Sequence, residues 1–433
     1  MKRVLIVSRQ RLVGATNGSS AYLIGLARSI RDAGMEPHLL QPSPGVMGRL
    51  PFFRARPELA VFGSHHIRDV ARIGRWFVSR DPSVWRDAAL GIGKALARRL
   101  GMRGAWTEDR PRPYAVAESW SEADRTWLHR RAAPIDAKVV MADYAFQAEA
   151  FAVLGTPRVR SAIVVHDIFH ARSQSGAGGD KDSVALVTRE EELAMLARAG
   201  TLIAIQQEEA AFMHDALPAS RIVLVPTAHE PDAARGSGDP ATLLFVGSRT
   251  APNTDGLAWF LENCWPELKE ASPATRLDVV GTVGTDFAGR VPDGVRVLGL
   301  VSDLAPFYER AGIVISPLRF GSGLKIKLIE ALAKGRPVVA TPVTMQGVGD
   351  LCGPAVLEAG SAEGFTAAII ALQRDEALRS RLAARALEIV AGHFAPRPAH
   401  REFRAWLQEA AKGSAGNGRL LPPETTARIS CFQ

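Results

Sequence analysis

Residues 313–333, IVISPLRFGSGLKIKLIEALA, combine an apolar run, a glycine-containing loop and a segment with helically spaced apolar residues. The opening run IVIS is typical of a strand buried on both faces of a parallel sheet. Gly321 and Gly323 allow backbone amides to approach a diphosphate closely. Lys325 and Lys327 lie in the first turns of a helix expected to begin near Gly323. At this place the lysines can neutralise the charge of the diphosphate. The segment therefore predicts a strand, a loop and a helix that together bind a phosphorylated ligand.

Glu330 follows Lys327 by three residues, so the two side chains share one face of the predicted helix. A carboxylate at this position can accept hydrogen bonds from the hydroxyl groups of a ribose. The alternative is an exposed lysine–glutamate pair that only stabilises the helix, by ~0.2–0.5 kcal/mol. The spacing alone leaves both interpretations open.

Strands alternate with helices on both sides of this segment, in one series before about residue 225 and in a second series after residue 242. Such alternation predicts parallel sheets with helices on both faces, so we expect an α/β protein with two doubly wound domains. The predicted organisation is a first domain over residues 1–228, a linker over 229–241, a second domain over 242–395, a helix over 396–412 and a disordered tail over 413–433.

The composition excludes several classes of protein. With 433 residues, of which 47% are hydrophobic and 23% charged, the chain resembles an ordinary globular protein. No segment approaches the ~20 apolar residues of a membrane span, and the apolar run after Lys2 and Arg3 is shorter than a signal-peptide core. The three cysteines are widely spaced without a C-x-x-C pair, which favours neither a disulfide framework nor a metal site. We therefore expect a cytoplasmic protein with no metal.

Residues 45–113 form a basic block, with fourteen Lys and Arg against six acidic residues, an excess equal to the net charge of +8 of the whole chain. Aromatic residues such as Trp76 and Trp85 lie within it, and this mixture suits an anionic membrane surface. Residues 84–103 predict a helix with one apolar face. We predict an amphipathic insertion that either docks on the first domain or binds the inner face of the cell membrane. Because no nucleic-acid-binding motif is present, we expect no nucleic acid partner.

The run PLRFGSGLKIKLIEALAKGRPVVATPV, residues 317–343, resembles the donor-nucleotide domain of GT-B-fold glycosyltransferases of family 4, the group 1 glycosyltransferases. The likeness continues through LLFVGSRTAPNTDG and, earlier in the chain, through VVHDIFHARSQ. It covers roughly residues 1–40 and 138–395 in the family's order, but not the basic block. The resemblance implies a retaining transfer of a sugar from a nucleotide-diphosphate donor to a polysaccharide, glycolipid or lipid-linked acceptor, without metal or another cofactor.

The resemblance also implies roles for particular residues. Glu330 matches the second acid of the family's E-x7-E motif, which holds the donor ribose, whereas Ser322 occupies the place of the first acid. Arg249 lies where the family has a basic contact to the diphosphate, and His166 matches a histidine that faces the transferred sugar. The donor-binding loop comprises Phe320, Gly321, Ser322, Gly323 and Leu324, and the acceptor-side loop contains Gly14, Asn17, Gly18 and Ser19.

The expected mechanism is electrostatic. The leaving nucleoside diphosphate gains negative charge as the glycosidic bond breaks, and preorganised cations and amides stabilise that charge. We expect His166, Lys325 and Lys327 to be the catalytic residues, with Arg249 beside the diphosphate. Two alternatives remain open: a UDP-sugar 2-epimerase of similar architecture, and a non-catalytic nucleotide-sugar-binding protein, with which the serine at position 322 would agree.

Overall fold

Two parallel sheets organise the protein. The computed structural model describes residues 1–48, 50–102, 115–170, 187–234, 236–287, 289–301, 303–321 and 326–413. Within these ranges the strands form a seven-stranded parallel sheet, a six-stranded parallel sheet and a small antiparallel sheet of three strands. The prediction of an α/β protein with two doubly wound parallel sheets is confirmed.

The described residues of the first half of the chain form ten strands. In chain order they are β1 (Arg3–Val7), β2 (Glu36–Gln41), β3 (Phe52–Arg54), β4 (Ser64–Ile67), β5 (Val70–Ile73), β6 (Trp76–Ser79), β7 (Val139–Asp143), β8 (Ser161–Val165), β9 (Thr201–Ala204) and β10 (Arg221–Leu224). The large sheet has the order β10-β9-β8-β7-β1-β2-β4. Strand β1, beside the central strand β7, places Ile6 opposite Leu39 of β2 and Met141 of β7, and all three side chains are buried. A continuous apolar strand is buried in this way because helices cover both faces of the sheet.

In the described part of this half, the helices described over their full length are α1 (Gly18–Asp32), α2 (Pro82–Arg99), α3 (Glu122–Ala132), α4 (Glu149–Leu154), α5 (Arg189–Leu196) and α6 (Gln207–Ala216). The long helix α1 buries Leu23, Leu26 and Ile30 against the first sheet, because these residues recur at helical spacing. Its position immediately after β1 and its loop completes the strand–helix–strand unit expected for the first 40 residues.

The second half repeats the architecture. Its strands are β11 (Asp239–Val246), β12 (Arg276–Val280), β13 (Val295–Gly299), β14 (Ala311–Ser316), β15 (Val338–Ala340) and β16 (Val356–Glu358), in the sheet order β13-β12-β11-β14-β15-β16. Its helices are α7 (Ala251–Asn263), α8 (Trp265–Ala271), α9 (Ala305–Arg310), α10 (Ile326–Ala333), α11 (Pro342–Met345), α12 (Gly349–Cys352), α13 (Ala362–Arg374) and α14 (Glu376–Ile389).

The basic block, predicted as an insertion over residues 45–113, contains four strands within its described residues. Strand β4 extends the first sheet by pairing with β2, and β3, β6 and β5 form the antiparallel sheet. The sequence of β4, SHHI, does not indicate a strand of the first sheet, because one of its buried residues, His65, is polar. That side chain is accommodated by a hydrogen bond to Gln41, 2.7 Å from its Nε2 to Oε1, and burial lowers the pKa of His65 to about 3. The predicted helix over 84–103 is present as α2 over Pro82–Arg99.

The segment predicted as a linker, residues 229–241, is bonded to the second half of the chain. The backbone N–H groups of His229, Asp232 and Ala234 donate to the carbonyls of Phe394, Ala333 and Lys334. Strand β11 already begins at Asp239. Backbone hydrogen bonds do not require a periodic pattern of apolar residues, so the sequence alone does not predict these contacts.

The chain returns to the first sheet at its end, through α15 (Pro396–Ala399) and α16 (Arg401–Ala410). The apolar face of α16, which includes Phe403 and Trp406, joins the same buried cluster as Leu26 of α1. His400 precedes this helix, and its ring nitrogens lie 2.5 Å from Ser29 Oγ and 3.2 Å from the Pro226 carbonyl oxygen. The predicted disordered tail lies outside the described residues after position 413.

None of the helices in the described ranges combines the length and apolar composition that a bilayer crossing requires.

We expect the change Trp406→Ala to destabilise the protein by about 3–5 kcal/mol, because it removes a large side chain from the core shared by α16 and α1. Urea unfolding followed by circular dichroism measures this loss. Trp85→Ala is the matched control, since Trp85 is 46% exposed on α2 and its removal should change stability much less. Equal destabilisation by the two substitutions would contradict the role given to α16.

Candidate functional site

The carboxyl ends of the two parallel sheets meet at two glycines. A Cβ atom added at Gly18, the first residue of α1, would lie 2.8 Å from Ile326 Cδ1, the first residue of α10. A Cβ added at Gly347 would lie 2.8 Å from Glu208 Oε2 of α6, and Gly347 has a φ of +80°. The first turns of α1 and α10 therefore face each other across the cleft. Helix N-termini favour anions, so both walls of the cleft are suited to a phosphorylated ligand.

Two glycines bring together the loops that the second sheet contributes to the cleft. Gly281 follows β12 with a φ of +108°, and a Cβ there would lie 2.1 Å from the carbonyl oxygen of Gly247, which follows β11. The next residues are joined as well, since Arg249 N donates to Thr282 Oγ1 at 2.8 Å. The two loops after β11 and β12 thus form one surface.

The guanidinium of Arg249, the predicted diphosphate contact, lies at an exposed part of this wall. It pairs with Asp286, 2.7 Å from Nη2 to Oδ1, and its side chain is 62% exposed. The hydrogen bond to Asp286 raises the pKa of Arg249. A ligand diphosphate would therefore have to share this guanidinium with Asp286 or displace the carboxylate.

The predicted donor-binding loop is described in part. Phe320 is 37% exposed, and Gly321 has a φ of +126°, a conformation that favours glycine. The neighbouring Arg319 is fixed by two bonds to Asp255, at 2.9 and 2.7 Å. The predicted donor-binding residues Ser322, Gly323 and Leu324 and the predicted catalytic residue Lys325 lie outside the described residues.

Lys327 and Glu330 form an ion pair on α10, with 2.5 Å between Nζ and Oε2. The Glu330 side chain is mostly buried, with 17% exposed. Two buried polar groups, Tyr308 and His229, interact with the charge of Glu330. Burial and the Glu330 charge raise the pKa of Tyr308. Burial lowers the pKa of His229, and the Glu330 charge opposes this lowering. The sequence spacing predicted this pair, but Tyr308 and the linker residue His229 become neighbours only in the folded chain.

On the opposite wall, a buried carboxylate organises the ends of β1, β7 and β8. Asp143 is fully buried, and its Oδ2 accepts hydrogen bonds from Ser8 Oγ at 2.5 Å and Gln10 Nε2 at 2.7 Å. Its Oδ1 lies 2.7 Å from His166 Nε2. Asp143 thereby fixes the orientation of the imidazole predicted to face the transferred sugar. Asp143 was missed in the sequence, where its sole signal was its position just after a predicted strand.

Two tyrosines hold the His166 ring. Tyr144 stacks on it with ring centres 4.2 Å apart, and Tyr22 meets it edge-on at 5.5 Å. Tyr144 has a φ of +72°, which is rare for a residue with a side chain and costs on the order of 1–3 kcal/mol. Such strain persists where surrounding contacts enforce it, and one of these is the hydrogen bond from Tyr144 Oη to Ser19 Oγ, 3.0 Å long.

The predicted acceptor-side loop reaches the same place. Asn17 caps α1, because its Oδ1 accepts from Ser20 N at 2.8 Å. Ser19 contacts Tyr144, and Gly18 faces Ile326. At Gly14 a Cβ would come within 2.7 Å of Arg56 Cδ, so the loop also packs against the first half of the basic block. The structure therefore brings together the loop, the His166 network and the start of α10.

A second carboxyl group in the cleft is Glu209, in the first turn of α6, 5% exposed. Burial, with the nearby charge of Asp167, raises the pKa of Glu209 to about 8. The side chain therefore carries a proton at neutral pH. Within the described ranges, His, Cys, Asp and Glu do not gather in a group of three or more that could hold a metal ion.

Residues 240–375 match the family model for group 1 glycosyl transferases. An uncharacterized 44.6 kDa protein in the cps region of Klebsiella pneumoniae is 25% identical over 118 residues. That match covers 25% of this chain and 30% of the Klebsiella protein, so it spans under a third of the relative.

Several solved structures share the architecture of nearly the whole chain. Sucrose-phosphate synthase from Thermosynechococcus elongatus superposes with a TM-score of 0.62 at 14% identity, covering 96% of this chain and all of that one. Anabaena HepE bound to UDP gives a TM-score of 0.60 at 14% identity, covering 94% of this chain and 100% of HepE. WaaG, a glycosyltransferase involved in lipopolysaccharide biosynthesis, gives 0.54 at 14% identity, covering 95% of this chain and 100% of WaaG.

The resemblance found in the sequence is thus confirmed: the chain has the GT-B fold, and its residues 240–375 match the group 1 glycosyltransferases.

Proposed function

We propose that the protein is a retaining glycosyltransferase that moves a sugar from a nucleotide-diphosphate donor to a saccharide or lipid-linked acceptor. The observation that carries this proposal is the continuous set of contacts across the cleft. His166 stacks on Tyr144, Tyr144 bonds to Ser19, and Gly18 faces Ile326, the residue before Lys327. A ligand between these walls would touch both the predicted sugar-facing histidine and the donor helix.

A nucleoside diphosphate sugar agrees with the chemistry of this cleft. Two helix N-termini and the Lys327 ammonium offer positive potential to a diphosphate, and Glu330 offers a carboxylate to ribose hydroxyls. The relatives point the same way, since structures of HepE contain UDP or UDP-glucose and a structure of TarM contains UDP. We therefore propose the same ligand class for this chain.

In the proposed mechanism, charge stabilisation replaces a metal. As the bond between the sugar and the diphosphate breaks, Lys327 and the amides at the start of α10 stabilise the charge that develops on the leaving group. The acceptor hydroxyl attacks the sugar from the same face that the leaving group leaves. The departing phosphate oxygen takes the proton of that hydroxyl. His166, oriented by Asp143, lies against the transferred sugar. We propose that no divalent cation is needed for this step.

The proposed acceptor is attached to, or lies near, an anionic membrane. Ten of the sixteen exposed large hydrophobic side chains of the described residues lie between positions 50 and 102. On α2, Trp85, Ile92 and Leu96 recur at helical spacing on one exposed face, with 46%, 70% and 57% exposure. This exposed face supports the membrane-binding alternative for the helix over complete docking on the first domain. Combined with the excess of basic residues in the block, the uncovered face suits the inner surface of the cell membrane.

We expect Glu330→Gln to weaken binding of the nucleoside diphosphate by about tenfold or more, because the amide replaces a charged acceptor of ribose hydroxyl hydrogen bonds. Titration calorimetry with UDP, GDP and ADP measures this effect. Glu388→Gln is the matched control, because Glu388 pairs with Arg385 at the same three-residue spacing on α14, 2.9 Å apart. Unchanged affinity in the Glu330 variant would support the helix-pair interpretation instead.

Incubation of the purified protein with UDP-, GDP- and ADP-sugars tests the reaction class. A transferase releases nucleoside diphosphate, and the release accelerates with a suitable acceptor. Conversion of the donor sugar without any acceptor would favour the 2-epimerase, and binding without turnover in all acceptor panels would favour the non-catalytic alternative. Full activity in the presence of a chelator is expected if the charge stabilisation is supplied by the protein alone.

We expect the double change Ile92→Glu and Leu96→Glu to reduce binding to phosphatidylglycerol vesicles at least about tenfold, because it removes apolar burial and adds two negative charges at an anionic surface. Co-sedimentation at low salt gives the bound fraction. Leu300→Glu serves as control, since Leu300 is 77% exposed in the second half of the chain. Absence of vesicle binding by the unchanged protein would refute the membrane proposal.

A further inference from the structure

A cavity of about 340 Å³ opens beside the His166 network. The loop after β1 contributes Arg9, Arg11 and Asn17, and residues near Ala115–Ala117 contribute Glu118. Tyr144 completes the lining, so one aromatic ring borders both the cavity and the His166 imidazole. A molecule in the cavity would therefore lie next to the place proposed for sugar transfer. The volume exceeds that of a single small ion and suits part of an organic ligand.

Arg9 provides a buried cation at this cavity. Its guanidinium is held by Asp124, 3.0 Å from Nη2 to Oδ2, by a bond from Nη1 to the Glu118 carbonyl oxygen, and by the face of Trp120 at 4.6 Å. Within the described residues the Nε atom has no hydrogen-bond partner. The Arg9 side chain is 0% exposed, so its charge acts from beneath the cavity wall and does not contact a ligand directly.

Arg11 adds a second cation with no ion-pair partner among the described residues. It lies over the ring of Phe53, 5.9 Å from the ring centre, and its partial burial lowers its pKa. The acidic side chain of the lining is Glu118, whose Oε2 accepts a hydrogen bond from Ser43 Oγ at 3.0 Å. Asp124 balances Arg9, whereas among the described residues no carboxylate forms an ion pair with Arg11.

The start of α1 adds further attraction for an anion. Asn17 and Ser19 lie at the cavity, and α1 extends for 15 residues behind them. The N-terminus of a helix of this length favours negative charge. Hydroxyl and amide groups at the cavity provide hydrogen-bond donors and acceptors of the kind that phosphate oxygens and sugar hydroxyls use.

We propose that this cavity binds a phosphate group carried by the acceptor. Arg11 forms the direct contact, the amides at the start of α1 complete the cradle, and Arg9 adds positive charge from beneath the cavity wall. The rest of the acceptor extends past Tyr144, so that its reactive hydroxyl reaches the sugar beside His166. This inference rests on the proposed function, since it names the chemical class of the acceptor for the same cleft.

We expect Arg11→Gln to weaken binding of a phosphorylated sugar by about tenfold or more, because it removes a charge-assisted contact to phosphate. The probes are glucose 6-phosphate and its uncharged counterpart glucose, measured by titration calorimetry with UDP already bound at saturation. The unchanged protein should bind the phosphate ester and not glucose. Arg28→Gln is the control, because Arg28 is exposed on α1 away from the cavity lining.

Arg11→Lys is a second variant, because it keeps the charge at the cavity but loses the planar guanidinium. It should bind the phosphate ester more tightly than Arg11→Gln and less tightly than the unchanged protein, while both variants retain UDP affinity. A phosphate ester that binds equally well to the unchanged protein and to Arg11→Gln would overturn the proposal, as would failure of the UDP-loaded protein to bind it. Absence of UDP binding itself would instead overturn the proposed function, so the two failures are distinguishable.

The phosphate can belong to a soluble sugar phosphate or to a lipid headgroup. Competition separates these sources: a polyprenyl phosphate in neutral detergent micelles should displace glucose 6-phosphate if lipid phosphate is accepted, whereas micelles without it should not. Displacement by the lipid assigns the acceptor phosphate to a membrane-bound carrier. Binding of the soluble ester with no displacement assigns it to a soluble acceptor. Both results require the Arg11 dependence described above.

Discussion

The close approach of two α/β halves at glycine is the constraint on which the cleft depends. At Gly18 and Gly347 a side chain would meet an atom of the opposite half at 2.8 Å, so the two halves touch there because no Cβ intervenes. The first of these contacts sets the start of α1 against the start of α10. The described starts of both helices therefore border one narrow volume, which distinguishes the cleft from the ends of two independent sheets.

Three carboxyl groups near this volume are compensated or protonated. Glu330 is paired with Lys327, Asp143 is held by three hydrogen-bonding side chains, and Glu209 retains its proton at neutral pH. These three groups therefore repel a diphosphate less than free carboxylates would. Near the cavity, Asp124 balances the buried guanidinium of Arg9 in the same way.

The sequence predicted the alternating architecture because buried parallel strands and amphipathic helices leave strong local patterns. It also predicted the Lys327–Glu330 pair, since three-residue spacing determines proximity on a helix. It did not reveal Asp143 or Tyr144 as parts of the site, because their partners come from distant segments and a strained φ leaves no compositional sign. Strand β4 was missed for a related reason: one of its two buried residues, His65, is polar and is accommodated by a hydrogen bond to Gln41. The roles of Ser322 to Lys325 stay predictions.

The docking of α16 on the first sheet has a consequence for synthesis of the protein. Trp406 and Phe403 complete an apolar core whose other members begin within the first 30 residues. When a ribosome has made the first sheet, the face that will receive α16 is still bare, and it stays so until the second half has emerged. The early half must therefore pass through a stage with exposed apolar surface, at which chaperones would recognise it and at which premature termination would leave an aggregation-prone fragment.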